Sequence, residues 1–305
     1  MVESSLKRPV VLLNRQAGTA VRCETEDPGE KIRTLFESSG QDVEVVSVAS
    51  SEIDRTLSGL DRSQVSRLIA AGGDGTVSAC AKVAVKLGIP LGVLPLGTFN
   101  HAARDLEMPL DLEAAVKDLA DPRIQSIDVG SVNGHIFLSV CVLGFYPEKI
   151  YTDKDRGQAW WQKVSRYFFT GLKILPLYRP KTLRFETDDR SIVSQTGFVA
   201  ISNNPYLDQV GVMPAKGAFD TGDLGLYIST HRSRKDLMEA GKAFLFGSLL
   251  EDPDLITEKS RRVLVYSRKK FLKTLVDGEL FNLRTPLEFE SKHCSLDVLL
   301  PRHMS

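Results

Sequence analysis

Arg67-Leu68-Ile69-Ala70-Ala71-Gly72-Gly73-Asp74-Gly75-Thr76-Val77 decides how this chain folds. Residues 67–70 form a short apolar run that ends in glycine, and residues 77–87 read as the helix it feeds. Outward from this stretch the same alternation continues through residues 10–14, 31–38, 43–48, 53–57 and 91–94. Alternating strand and helix predicts a mostly parallel sheet. Strands buried on both faces carry such apolar runs, and function collects at their carboxyl ends. Three of those ends are unusual: Asn14-Arg15-Gln16-Ala17-Gly18, Gly72 to Thr76, and Pro95-Leu96-Gly97-Thr98-Phe99-Asn100.

Near Ile127 the texture changes. Residues 127–132, Asn133-Gly134 and residues 135–143 form the strongest short-range hairpin signal of the chain. Further strands fit residues 182–187, 196–202, 224–230, 262–266, 271–276, 287–290 and 295–300, and helices fit 158–175 and 235–250. The fold expected is an α/β N-terminal domain with a mostly parallel sheet, residues 1–127, followed by a β-rich sandwich domain, residues 128–305. The last strand, about 295–301, has the option of returning to the first domain.

The 305 residues carry 39 basic and 39 acidic side chains for a net charge of +0, which argues against a nucleic-acid binder relying on bulk positive charge. At 42% hydrophobic and 26% charged, the composition is globular rather than disordered or fibrous. Cys23, Cys80, Cys141 and Cys294 stand far apart, without a C-x-x-C pair, so neither a zinc site nor a disulfide framework is expected. His135, His231, His293 and His303 form no ligand cluster in the sequence. The apolar run at residues 10–13 is too brief for a signal-peptide core, and residues 136–146 fall well short of a membrane span. A reducing cytoplasm is the compartment expected, with no transmembrane segment.

Gly72 to Thr76 lies between a strand and a helix, where glycines let a ligand approach the backbone and the first helical amides point toward an anion. Phosphate is the expected guest. Asp74 would repel phosphates unless it holds Mg²⁺ or orients a hydroxyl nucleophile, which is what a kinase site requires. A tight turn closed by a helix cap is the other reading of the same residues. Neither G-x-x-x-x-G-K-[ST] nor a complete G-x-G-x-x-G occurs, since Ser78 fills the last position of the best attempt.

The pattern resembles the diacylglycerol kinase catalytic-domain family, which includes bacterial lipid kinases and sphingosine kinases. Gly72 to Thr76 resembles its Gly-Gly-Asp-Gly-Thr signature, and Pro95 to Leu106 resembles its second motif, a Gly-Thr-x-Asn turn feeding a short helix with Ala-Arg. Asn14 to Gly18 is similar to its N-terminal Asn-x-x-x-Gly loop, and Asp277-Gly278-Glu279 to its Asp-Gly-Glu near the end of the chain. The resemblance implies a two-domain enzyme that binds ATP in a cleft between the domains and transfers its γ-phosphate to the hydroxyl of a membrane lipid such as diacylglycerol. Carried over by residue, Asn14, Gly18, Gly72, Gly73, Gly75, Thr76, Gly97, Thr98 and Asn100 would bind the nucleotide, and Asp74 would hold Mg²⁺. Glu279 would accept the proton of the lipid hydroxyl, with Asp277 as a catalytic neighbour, although Asp277-Gly278 also reads as a type I′ hairpin turn.

Two departures stand out. Arg15 to Ala17 lack the family's Pro and Ser-Gly, and Thr221 precedes Gly222 where the family has an Asp-Gly pair at a structural Mg²⁺. A hydroxyl is a much poorer Mg²⁺ ligand than a carboxylate, so that ion is absent or Asp220 or Asp223 substitutes. Residues 158–178 hold Trp160, Trp161, Tyr167, Phe168 and Phe169 among Lys163, Arg166 and Lys173, an aromatic and basic pattern suited to a membrane interface, while Trp161, Val164, Phe168, Leu172 and Leu175 also fit the core face of a helix. Arg268-Lys269-Lys270 reads as a solvated turn, or as attraction to anionic lipid. The partner expected is a lipid alcohol at the inner membrane surface, with no nucleic acid and with a homodimer left open. A kinase of a soluble hydroxyl substrate, as NAD kinases are, and a nucleotide sensor without turnover are the competing functions.

Overall fold

A computed structural model of the chain describes residues 7–18, 27–97, 100–144, 180–206, 218–231, 236 and 252–302. The chain divides into two compact units, Met1–Ile127 with Cys294–Ser305, and Asp128–His293.

In the first unit β1 (Arg8–Asn14), β2 (Glu44–Val48), β3 (Val65–Gly72) and β4 (Leu91–Pro95) pair in parallel in the order β2-β1-β3-β4. The central strands are apolar because both faces are covered: Val11, Leu12, Leu68, Ile69, Leu91 and Leu94 are all buried. Helices α1 (Pro28–Ser38) and α5 (Leu112–Ala120) pack on each other, as do α2 (Ile53–Ser58) and α3 (Asp74–Leu87). Local chemistry sets their ends. The Asp27 carboxylate accepts the Glu30 amide at 3.0 Å with Pro28 in the first turn, and Asp111 accepts the Ala114 amide at 3.0 Å. Gly88 closes α3 in the left-handed region at φ 61°. Burying Ile32 and Phe36, one turn apart on α1, contributes roughly 1.5–3 kcal/mol each.

The second unit is antiparallel. After β5 (Arg123–Val132) come β6 (His135–Phe137), β7 (Val140–Gly144), β8 (Lys181–Glu186), β9 (Ser191–Thr196), β10 (Phe198–Asn203), β11 (Leu224–Ser229), β12 (Leu255–Ser260), β13 (Arg262–Tyr266), β14 (Phe271–Val276), β15 (Glu279–Arg284) and β16 (Leu287–Leu300). One sheet runs β12-β11-β10-β7-β14-β15, and in the other β16, β13, β8 and β9 lie side by side. Both sheets feed one core, in which Phe137 meets Phe289 edge-on at 6.4 Å and Phe185, Ile201 and Leu226 are fully buried.

The expected fold class is thus the one adopted, with differences in the elements. Residues 135–143 form two strands rather than one, because the amides of Leu138, Ser139 and Val140 turn to the Asp277 carboxylate. Residues 287–290 and 295–300 belong to one long strand, β16, whose Val298 pairs in parallel with Leu91. Strands β9, β12 and β15 were not among the expected strands, nor was α5 among the helices. Residues 158–175 lie outside the described residues, and of 235–250 only Asp236 is described.

Candidate active site

Asn14 ends β1 and is 9% exposed. Its Nδ2 donates to Thr76 Oγ1 at 3.1 Å, and its Oδ1 accepts from the Gln16 amide at 3.0 Å and from Ser50 Oγ at 3.1 Å. A buried amide with both ends engaged fixes the 14–18 turn against the first turn of α3. Gly18 is exposed in that turn, and Arg15 faces solvent with Glu52 at 3.8 Å, a contact of little energetic weight.

The glycines between β3 and α3 divide by what surrounds them. A Cβ on Gly72 would stand 2.5 Å from Thr76 Oγ1, and one on Gly97 would collide with Gly73 Cα and lie 2.8 Å from Asn100 Oδ1. The pairing of Gly72 with Pro95 brings the two loops this close, so packing alone demands Gly72 and Gly97 and leaves little room beside Gly73. Gly75 differs. It is exposed, its φ lies outside the left-handed region, and a Cβ there would meet nothing within 4 Å. Thr76 N and Val77 N donate to Gly73 O, while the amides of Asp74 and Gly75 have no partner among the described residues. Helix α3 therefore begins with two free donors at an open surface, an arrangement that accepts an anion.

Asp74 is half-buried, and its Oδ1 accepts the Ala102 amide at 3.2 Å, which ties α3 to α4 (His101–Asp105). Its Oδ2 meets no donor among the described residues, so the carboxylate fits a Mg²⁺ ligand. Asn100 has turned inward. At φ 52° it accepts the Gly97 amide at 2.8 Å and donates to Gly97 O at 3.0 Å and Pro95 O at 3.3 Å, so both its polar ends close its own turn. Thr98 lies outside the described residues.

In the second unit Asp277 and Gly278, at φ 45° and 84°, make the primed turn between β14 and β15. The Asp277 carboxylate accepts amides from Leu138 at 2.7 Å, Ser139 at 2.9 Å and Val140 at 3.1 Å, and its own amide donates to Val140 O. Asn203 grips the same bend through Leu138 O at 3.2 Å and Ser139 O at 2.9 Å. Glu279 follows as the first residue of β15, half-buried. Beneath this turn, burial pushes the Cys141 thiol well up from its ordinary value, and the Asp277 charge adds to the rise.

Asp220 is exposed and Asp223 half-buried, and neither belongs to a cluster of three metal-ligating side chains among the described residues. Their loop is fastened by other means. Thr221 Oγ1 donates to Asn204 Oδ1 at 2.7 Å, Thr221 N donates to the same oxygen at 3.1 Å, and Asp223 N donates to Thr221 Oγ1 at 3.2 Å. Gly222 N donates to Asp128 Oδ2 at 2.6 Å, and His293 Nδ1 lies 2.8 Å from Asp128 Oδ1. Because Thr221 N needs an acceptor, Asn204 is fixed with its Nδ2 inward, buried and unpartnered, a donor of the wrong polarity for a cation. These residues do not fit a structural Mg²⁺.

The histidines have partners that spacing did not reveal: beside the His293 contact, His231 is 4% exposed with Nε2 3.2 Å from Asp252 and Nδ1 2.8 Å from Ser229 Oγ. Asp128, Asn203 and Asn204 were also missed, although an acidic residue inside the apolar stretch 127–132 was a signal of a buried, hydrogen-bonded carboxylate.

Residues 8–132 match the family model described as the diacylglycerol kinase catalytic domain. These residues belong to the diacylglycerol kinase catalytic-domain family. The chain is accordingly a phosphotransferase acting on an alcohol group. It is 26% identical over 238 residues to a diacylglycerol kinase of Bacillus subtilis (strain 168), covering 77% of this chain and 78% of the relative. With one of Staphylococcus haemolyticus (strain JCSC1435) it shares 24% identity over 272 residues, 88% of this chain and 80% of the relative. The fold of the family extends over both units: a crystal structure of a diacylglycerol kinase from Bacillus anthracis superposes with a TM-score of 0.70 at 18% identity, covering 98% of each chain.

Proposed function

We propose that this phosphotransferase is an ATP-dependent lipid kinase that moves the γ-phosphate of ATP to the hydroxyl of a membrane lipid such as diacylglycerol. The observation that carries the reading is the opening of α3. Gly75 is a glycine that nothing in the surrounding fold requires, beside two unpartnered amides and a carboxylate. A side chain is absent where a phosphate would approach, and the donors that would bind it are in place. The names of the relatives supply the acceptor class.

On this reading the amides of Asp74 and Gly75 hold nucleotide phosphate oxygens, and Asn14 and Thr76 keep the loops in register through their mutual hydrogen bond. Asp74 would hold Mg²⁺, which when bound neutralises charge on the phosphates. The lipid hydroxyl oxygen bonds to the γ-phosphorus, the bridging bond to the β-phosphate breaks to release ADP, and the Glu279 carboxylate takes the hydroxyl proton. Asp277 acts through the backbone, holding the hairpin from which Glu279 projects. Work on a lipid requires meeting a membrane from outside, and no helix among the described residues is long and apolar enough to cross one.

The test is transfer of label from γ-³²P-ATP with Mg²⁺ into extracted membrane lipids, with Asp74→Asn alongside. A labelled lipid seen with wild type alone supports the proposal and identifies the acceptor. If no lipid is labelled while NAD or a sugar phosphate is, the enzyme is a kinase of a soluble alcohol.

A further inference from the structure

We infer that one end of the second unit, built around the 267–270 turn, is a docking surface for an anionic lipid bilayer. The whole chain has a net charge of +0, yet cations collect here. Arg268, Lys269 and Lys270 are exposed on the turn, Lys273 follows on β14, and Arg284 stands opposite Phe271 in the β14–β15 register. Arg184 on β8 pairs with Tyr266 at the end of β13 and lies 4.1 Å over its ring. In residues 181–186, 266–273 and 284–287, which make this end, Glu186 is the single carboxylate, and it is held by Arg184 at 3.0 Å and by the Tyr266 hydroxyl at 2.9 Å.

The surface also has an apolar member and a fixed shape. Phe271 is 45% exposed, one of few large apolar side chains so open among the described residues, with Lys270 Nζ 6.0 Å from its ring centre. Thr285 N donates to Lys270 O at 3.0 Å, and Thr285 Oγ1 donates to Lys269 O at 2.7 Å. The turn backbone is thus held from within, which leaves the charged and aromatic side chains to face outward. An aromatic ring ringed by cations matches the boundary of an anionic bilayer, where the ring enters the interface and the cations meet headgroup phosphates.

Chain connectivity points the same way. Strand β7 ends at Gly144, one step past the pairing of Leu143 with Thr274, and β8 begins at Lys181 beside the turn. The chain between those strand ends contains Trp160, Trp161, Phe168 and Phe169 with Lys163 and Arg166, a composition found in segments that lie in membrane interfaces.

The experiment is cosedimentation of the full chain with vesicles of phosphatidylcholine alone or with phosphatidylserine. These lipids offer no alcohol acceptor and no ATP is added, so the outcome is independent of the kinase reading. Binding is expected to phosphatidylserine vesicles only, and to fall steeply as salt rises. At about fivefold in partitioning per basic residue, Arg268→Glu/Lys269→Glu/Lys270→Glu should bind at least about 100-fold more weakly. Phe271→Ser should weaken binding at every salt concentration, and Lys86→Glu, on the other unit, should leave it unchanged. Wild type binding neutral and anionic vesicles equally, or failing to bind either, would overturn the inference, as would an undiminished Phe271→Ser together with an undiminished triple variant. Equal affinity for duplex DNA would reassign the surface to polyanions in general. Phosphorylation of a short-chain, water-soluble diacylglycerol should be retained by the triple variant; loss of turnover in wild type with vesicle binding intact would sink the kinase reading alone.

Discussion

The Asn14 side-chain amide donates to the Thr76 hydroxyl at 3.1 Å, joining the end of β1 to the first turn of α3 across 62 residues of sequence. Both residues are buried, so a partner left behind by substitution keeps its desolvation cost without its bond. Asn14→Ala should destabilise the chain by roughly 2 kcal/mol. Thr76→Val, which keeps the shape, should cost less, and in the double variant the two effects should fall short of their sum. Urea denaturation of the four proteins measures the coupling. Simple additivity would mean that the bond does not fasten the loop.

Gly75→Ala separates the ligand from the fold. Nothing lies within 4 Å of the added methyl, and alanine is favoured over glycine inside a helix, so thermal stability should hold or rise, by up to about 1 kcal/mol. If phosphates approach this backbone, the same methyl should raise the KM for ATP at least tenfold. A variant with wild-type ATP kinetics would show that the open space at residue 75 is not used by the nucleotide.

Much of this loop system could be read beforehand. Strand β3 is an apolar run stopped by glycine, and that pattern was enough to place Gly72 to Thr76 at the end of a parallel strand. What could not be read was register. Gly97 needs to be glycine because the pairing of Gly72 with Pro95 sets it against Gly73, and Asn100 closes its own turn because its backbone is left-handed. Strands β9 and β12, Ser191-Ile192-Val193-Ser194-Gln195-Thr196 and Leu255-Ile256-Thr257-Glu258-Lys259-Ser260, escaped because exposed polar residues thin their apolar pattern. Asp277 looked like a turn former and is one. Its larger task, holding three amides more than 130 residues away, depends on a tertiary contact that no local pattern encodes.

Asp277 and Glu279 should therefore fail differently. Asp277→Ala strands three backbone donors that a charge had satisfied and should cost about 3 kcal/mol of stability, with any loss of turnover following the displaced hairpin. Glu279→Gln should leave the thermal midpoint and the KM for ATP near wild type while lowering kcat, since its proposed work is on the acceptor proton. Thermal melts and steady-state kinetics on both variants decide. An Asp277→Ala protein of unchanged stability would return that residue to the chemistry.

The Thr221 loop predicts how the protein responds to a chelator. Thr221 Oγ1 donates to Asn204 Oδ1 at 2.7 Å, and Gly222 N donates to the fully buried Asp128 at 2.6 Å, so the loop is closed by bonds within the chain. EDTA should leave the thermal midpoint of the nucleotide-free protein unchanged, because no ion holds this loop. Thr221→Val removes the hydroxyl from Asn204 and from the Asp223 amide and should cost about 1–2 kcal/mol. Thr221→Asp places a carboxylate against Asn204 Oδ1, an acceptor against an acceptor, and should be destabilised without Mg²⁺; recovery on adding Mg²⁺ would show that one side chain separates a hydrogen-bonded loop from a metal-bound one. A wild-type midpoint that falls in EDTA and returns with Mg²⁺ would show that a cation holds the loop after all.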